Sequence, residues 1–329
     1  MRGIDMEGRS GAITRRAACA RPSLPTSFQE IIRLSTNRRG LRRLLRFLPV
    51  KRFRNPPPVV SVLRLDGTIM AGRGFRSNLS YEGLQPLIDR AFKVPEAKAV
   101  ALVINSPGGS PAQSSLIYKH IRAMAAEKTL PVLAFVEDVA ASGGYWLAVA
   151  GDEIYVDETT MVGSIGVVSA GFGFDRAIAR LAVDRRVHTI GENKMRLDPF
   201  QPENPDDVSW LGAIQKQIHD RFIEIVRTGR GERLDKAGDT PLFNGDVWVG
   251  QAAVDVGLAD GVGDLRGVLR NRFGDDVKLV AIREKQGLLG RVGIGVTARA
   301  GARADGVAAM VSGVADAIDS RALWQRYGL

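Results

Sequence analysis

From Val59 onward, short apolar runs alternate with amphipathic stretches, the pattern of strands feeding helices. Val59-Val60-Ser61-Val62-Leu63-Arg64-Leu65 predicts a strand closed by Asp66-Gly67. Leu84, Leu87, Ile88 and Phe92 share one face of a helix over Tyr81 to Phe92. Ala99 to Ile104 is almost continuously apolar, as in a strand buried on both faces. A glycine loop comes next, then a helix to about Lys128. Leu130 to Val136 predicts the next strand, and a helix opens at Ser142. Glu153–Val156, Val167-Val168 and Val187–Ile190 are further strand candidates. A long amphipathic helix spans about Asp206 to Thr228. Gly245 to Asp264 reads as turn, helix and turn, and Val277 to Ile282 as a last strand.

Strand, loop and helix repeated in this order predict an α/β fold with a mostly parallel sheet. Pro107-Gly108-Gly109 and Ser142-Gly143-Gly144 both come directly after apolar strands. Both loops therefore fall at one edge of the sheet, where α/β proteins bind ligands.

Before Val59 the pattern changes. Residues 1–27 are polar with little periodicity, the composition of a disordered segment. Leu41, Leu44, Leu45 and Leu48 then line one helix face, with Arg42, Arg43 and Arg46 off it. A basic amphipathic helix of this kind suits an anionic membrane surface or packing on its own domain or a neighbouring subunit. Asn55-Pro56-Pro57-Pro58 ends it. The expected organisation is a basic leader over 1–55, a folded α/β body over 56–285, and a Gly/Ala/Arg-rich tail over 286–329.

Charge sharpens this division. The net charge is +10, yet residues 1–54 hold 14 Lys and Arg against three Asp and Glu, and the remainder holds 32 against 33. The basic character belongs to the leader, so the body is not expected to bind nucleic acid. One cysteine, Cys19, excludes an intrachain disulfide framework. His120, His188 and His219 are scattered, so no metal site is expected. No apolar run is long enough for a membrane span or a secretory signal, which predicts a cytoplasmic protein, peripheral on the inner membrane at most.

Candidate chemistry centres on Ala141-Ser142-Gly143-Gly144-Tyr145-Trp146. A serine at a helix start, among small residues, has unpaired N–H groups beside it and room for a peptide to approach. The plain alternative is an N-cap and a turn. Pro107-Gly108-Gly109 offers a second amide, so a carbonyl between the N–H groups of Gly109 and Gly143 is polarised from two directions. A serine nucleophile needs a base. His188, in a strand-like segment, and His219, within the long helix, are weaker choices than Lys194, which precedes a proline-broken loop. A lysine base requires its pKa to fall from about 10.4 toward roughly 7–8, a cost of about 4 kcal/mol that the fold must supply.

Four segments together carry a resemblance. They are Asn105-Ser106-Pro107-Gly108-Gly109, Ala141 to Trp146, Gly163-Ser164-Ile165-Gly166-Val167, and the stretch from Trp248-x-Gly250 to Gly257-Leu258-x-Asp260. From about Val59 to Asp264 the chain resembles the signal peptide peptidase A family of Ser–Lys serine peptidases. That resemblance implies the stacked ββα units of the Clp-protease and crotonase superfamily. It implies Ser142 as nucleophile, Lys194 as general base, Ser164 as the hydroxyl that orients the lysine, and Gly109 and Gly143 as the oxyanion hole. It further implies hydrophobic peptide substrates such as signal-peptide remnants, no cofactor or metal, and a homo-oligomeric ring with the dyad shared between protomers. Many relatives carry an N-terminal membrane span; here only the basic leader stands in that place. The competing readings are a crotonase-like acyl-CoA enzyme, for which Glu137 and Asp138 are the local carboxylates, a non-catalytic scaffold of the same fold, and a Ser-His-Asp peptidase using His188.

Overall fold

The apolar run at 99–104 becomes the centre of a sheet. The computed structural model describes residues 56–72 and 78–283, with Trp324, Gln325 and Tyr327 near the C-terminus. The predicted leader and nearly all of the predicted tail lie outside the described residues.

Strand β1 (Val59–Asp66) leads to helix α1 (Tyr81–Phe92), β2 (Ala97–Ser106) to α2 (Pro111–Lys128), and β3 (Val132–Ala141) to the short α3 (Gly143–Ala148). Then come β4 (Glu153–Val156), β5 (Met161–Gly163), α4 (Asp175–Arg180) and α5 (Pro205–Arg230). A 3-10 turn over Gly231–Ala237, β6 (Val247–Val249), α6 (Gln251–Asp255), β7 (Gly261–Val262), α7 (Leu265–Phe273) and β8 (Lys278–Ile282) complete the order. Local chemistry starts the main helices. Ser80 accepts from the Gly83 N–H at 3.2 Å, and Ser110 accepts from the Gln113 N–H at 3.4 Å, with Pro111 opening α2.

The strands lie in the order β6-β5-β3-β2-β1-β8, with β4 beside β3 and β7 beside β4. Every pairing is parallel except β5 with β6. This is the α/β fold with a mostly parallel sheet that the sequence predicts. Alternate residues of β2 face opposite ways. Val100, Leu102 and Ile104 pack with Leu63, Leu84, Ile88, Ile117 and Ile121 on one side, and Ala99 and Ala101 pack with Leu133, Phe135 and Leu269 on the other.

β3 forks, and the fork places the site. Its first half, Leu133 to Val136, pairs with β4; its last three residues, Val139 to Ala141, pair with β5. The register with β2 slips between Ile104/Val136 and Ser106/Ala140. The slack holds Glu137 and Asp138, and a bulge of this kind bends a strand and re-aims the residues after it. The first residue beyond the re-aimed strand end is Ser142.

Two predicted strands are corrected. The strand expected at Val167-Val168 falls instead at Met161–Gly163, because its register is set by Val139–Met161 and Ala141–Gly163 pairing. The chain then leaves the sheet at Ser164, whose φ is 50°. Val187–Ile190 forms no strand; it is exposed and meets no strand among the described residues. Helix α7, absent from the elements that periodicity predicts, starts at Asp264, whose carboxylate accepts from the N–H groups of Arg266 and Gly267.

Candidate active site

Ser142 sits at the N-cap position of α3, and its hydroxyl caps nothing. An ordinary N-cap residue has extended backbone. Ser142 has φ 51° and ψ −121°, a conformation natural to glycine. A side chain held there stores on the order of 1–3 kcal/mol and needs firm support. The support is visible. The Ser142 N–H donates to the Gly163 carbonyl at 2.9 Å, and the Ser142 carbonyl accepts from the Trp146 N–H at 3.1 Å. All of α3 is buried. Tyr145 donates its hydroxyl to the Leu258 carbonyl at 2.8 Å, and burial pushes this phenol above its usual range, so it stays a neutral donor. Trp146 stacks on Phe222 of α5 with ring centres 4.9 Å apart. The plain N-cap alternative therefore does not describe this serine.

The other glycine loop faces it. The Ile69 N–H donates to the Gly108 carbonyl at 2.8 Å, and the Ser110 N–H donates to the Ile69 carbonyl at 2.7 Å. In such strand-like pairing, the residue between points its polar groups the opposite way. That residue is Gly109, and its N–H finds no acceptor among the described residues. The Gly143 N–H, in the first turn of α3, likewise has none among them. The two groups are neighbours: a Cβ built on Gly143 stands 3.4 Å from the Gly109 nitrogen. Close fit explains the glycines. At Gly108 (φ 103°) a Cβ meets the Ala141 carbonyl oxygen at 2.8 Å and the Ser142 Cβ at 2.9 Å. At Gly109 (φ 140°) it meets the Ile69 carbonyl oxygen at 2.1 Å. A free hydroxyl beside two free amides is equipped to attack a carbonyl and hold the resulting oxyanion.

Ser164 lies on the adjoining strand end, one residue beyond the carbonyl that holds Ser142. It too has positive φ, it is buried, and its N–H donates to the Asp246 carbonyl at 2.6 Å. The Gly166 N–H returns to the Ser164 carbonyl at 2.9 Å, closing a tight turn around Ile165. Ile69 and Asp246, which shape these loops through their backbone carbonyls, carry no local sequence signature of that role.

Lys194 is placed differently. It lies in a turn where its N–H donates to the Gly191 carbonyl at 3.1 Å, and it is exposed. Among the described residues no hydrogen bond joins its amine to Ser142 or Ser164. The structure thus brings Ser142, Ser164, Gly109 and Gly143 together and leaves Lys194 outside the group. Lys194 belongs to an exposed arm over residues 167–204. The arm has its own small cluster, in which Phe174 packs near Phe200, Arg185 covers Phe200, and Arg185 pairs with Asp198. It also exposes apolar side chains: Phe172 is 81%, Leu181 73% and Ile190 100% accessible.

The carboxylates wanted by a crotonase-type reaction are committed elsewhere. Glu137 accepts from the two terminal Arg64 guanidinium nitrogens at 2.8 and 2.6 Å, and Asp138 accepts from Asn105 at 2.7 Å. His188 is exposed, with no side-chain bond among the described residues. Nor do the described residues contain a cluster able to hold a metal ion.

Residues 124–274 match the family described as Peptidase family S49. A Brucella abortus protein named Na(+)/H(+) antiporter NhaA is 46% identical over 303 residues, 91% of this chain and 41% of that protein. Protease 4 of Haemophilus influenzae is 32% identical over 212 residues, 64% of this chain and 33% of that one. The putative signal peptide peptidase SppA of Enterococcus faecium is 30% identical over 182 residues, 54% and 52% respectively. The chain thus spans about two fifths of the first relative's length and a third of the second's. Among the described residues no helix is long and apolar enough to cross a membrane.

Proposed function

We propose that this chain, which is similar to the S49 peptidases of the signal peptide peptidase A kind, is a serine endopeptidase with Ser142 as nucleophile. The observation that carries this reading is the uncapped Ser142 hydroxyl, held in a glycine-like conformation beside the free amides of Gly109 and Gly143. Ser142 Oγ adds to the scissile carbonyl carbon while its proton passes to a neutral Lys194 Nζ. The carbonyl oxygen becomes an anion between the two amides; losing one such donor typically costs about 3–4 kcal/mol of transition-state stabilisation. The C–N bond then breaks, the departing amine takes the proton from Lys194, and water hydrolyses the acyl-serine by the reverse route. Ser164 Oγ orients the lysine. Hydrophobic peptides, signal-peptide remnants among them, are the proposed substrates. A fluorophosphonate probe tests the nucleophile: it should label the wild type at Ser142. Labelling that persists in Ser142→Ala at the wild-type rate would refute the assignment.

The base comes from a neighbouring copy. Lys194 has no side-chain partner among the described residues of its own chain, and the arm that carries it exposes Phe172, Leu181, Val183 and Ile190 to water. Such a set is what a second protomer covers. If each site draws serine from one protomer and lysine from the next, two inactive variants complement each other. Mixing unfolded Ser142→Ala and Lys194→Ala chains in equal amounts and refolding them together should recover about a quarter of the wild-type rate, since random assembly pairs two intact partners that often. A mixture as inactive as its parts would place both residues in one chain.

A further inference from the structure

His219 ties the long helix to the loop that carries Ser164. Its Nε2 lies 3.1 Å from the carbonyl oxygen of Ile165, across 54 residues of sequence. A carbonyl only accepts, so Nε2 holds the proton and is not free to take one from a nucleophile. The Ile165 side chain is fully buried, and among the described residues no other group donates to its carbonyl. The bond acts on a turn already under constraint. Ser164 has φ 50°, its N–H is held by Asp246, and the turn closes from Gly166 back onto the Ser164 carbonyl. Beyond Gly166 the chain runs into the exposed arm, so among the described residues this is the last carbonyl held by a distant side chain before it.

The same helix face grips the nucleophile. Phe222, three residues after His219, stacks on Trp146, whose N–H holds the Ser142 carbonyl. One turn of α5 therefore sets the Ser164 loop and the Ser142 helix against a common reference. We propose that His219 is a positioning residue for Ser164: by fixing the Ile165 carbonyl it fixes the direction of the Ser164 hydroxyl toward the amine it orients. This rests on the role proposed for Ser164 in orienting the lysine.

The test is kinetic, on the full chain with a fluorogenic apolar peptide. His219→Ala should lower kcat about five- to tenfold, the weight of one part-buried hydrogen bond, with KM within about twofold of wild type. His219→Gln, whose amide reaches the Nε2 position, should restore most of the rate. His219→Asn, whose amide stops one bond short, should not, and it carries the comparison should the alanine variant fail to fold. Because the effect passes through Ser164, the double variant His219→Ala/Ser164→Ala should be no slower than Ser164→Ala alone. A His219→Ala enzyme with wild-type kcat, a glutamine variant as slow as the asparagine one, or losses that add in the double variant would each overturn the proposal while Ser164→Ala stays impaired. Full activity of Ser164→Ala is a different result: it removes the role of Ser164, and this inference with it.

Discussion

Replacing Ser142 by alanine should reduce peptide turnover by roughly 10³-fold or more while an apolar peptide still binds, and Lys194→Ala should do the same. Both losses fall on kcat, because neither side chain is needed to hold the substrate before the bond changes begin. Ser142→Ala keeps the Cβ, so the backbone at φ 51° is no more and no less strained than before, and the fold is unaffected. Ser142→Gly gives the sharper reading. It is equally inactive, yet it relaxes a conformation that glycine adopts freely. After allowance for the greater freedom of glycine in the unfolded chain, a gain of about 1 kcal/mol is expected. Over a body the size of the described residues that raises Tm by about 2–4 °C. An inactive variant that is also more stable is the mark of a residue kept for chemistry against the preference of the backbone. A glycine variant that melts below wild type contradicts the strain argument, and an alanine variant retaining a tenth of the rate contradicts the nucleophile.

The second large effect is on stability. Arg230 is 1% exposed, and its Nη1 meets Asp260 Oδ2 at 2.6 Å. Its Nε donates to the Gly257 carbonyl at 2.9 Å. Asp260 also accepts from the Ile154 N–H at 2.7 Å and pairs with Arg233 at 2.8 Å. Asp260→Ala leaves a buried guanidinium without its counter-charge and the Ile154 N–H without its acceptor. Removing one member of a buried pair costs about 3–5 kcal/mol, which corresponds to a fall in Tm of roughly 10 °C. Removing both charges with Arg230→Met/Asp260→Ala should cost less than Asp260→Ala alone, since no uncompensated charge remains. Thermal melts of the wild type and the two variants decide it; a double variant less stable than Asp260→Ala would show that the pair's charge is not what matters there. The segment from Gly257 to Asp260 thus supports the candidate site indirectly: Leu258 receives Tyr145 of α3 while Asp260 holds Arg230 at the end of α5.

Much of this architecture is legible in the sequence. The strands at Val59, Ala99 and Leu130 are apolar runs bounded by Gly, Pro and Asp, and a parallel sheet buried on both faces is the arrangement that covers them. Ser142, Gly109 and Gly143 are legible because their chemistry is local: small residues directly after such strands. The apolar sequence of the arm misleads. Val167-Val168 and Val187–Ile190 have β-prone side chains, but among the described residues they meet no strand. Exposed apolar residues of an arm and residues of a buried strand look alike in sequence. Sequence singles out Lys194 without showing that the described residues of its own chain leave the amine unpartnered. His219 is hard to single out because a helical histidine carries no local sign of a bond 54 residues away. The Ile69 pairing that turns the Gly109 amide toward Ser142 is equally silent in the sequence.

An arm that leaves its lysine stranded bears on timing. On the shared-site reading, a newly made copy, diluted among other proteins, has an attacking hydroxyl and an anion cradle but no amine to accept the proton. Such a copy is harmless by isolation. On that reading activation would wait on the arrival of enough sister chains, and abundance itself would be the safety catch.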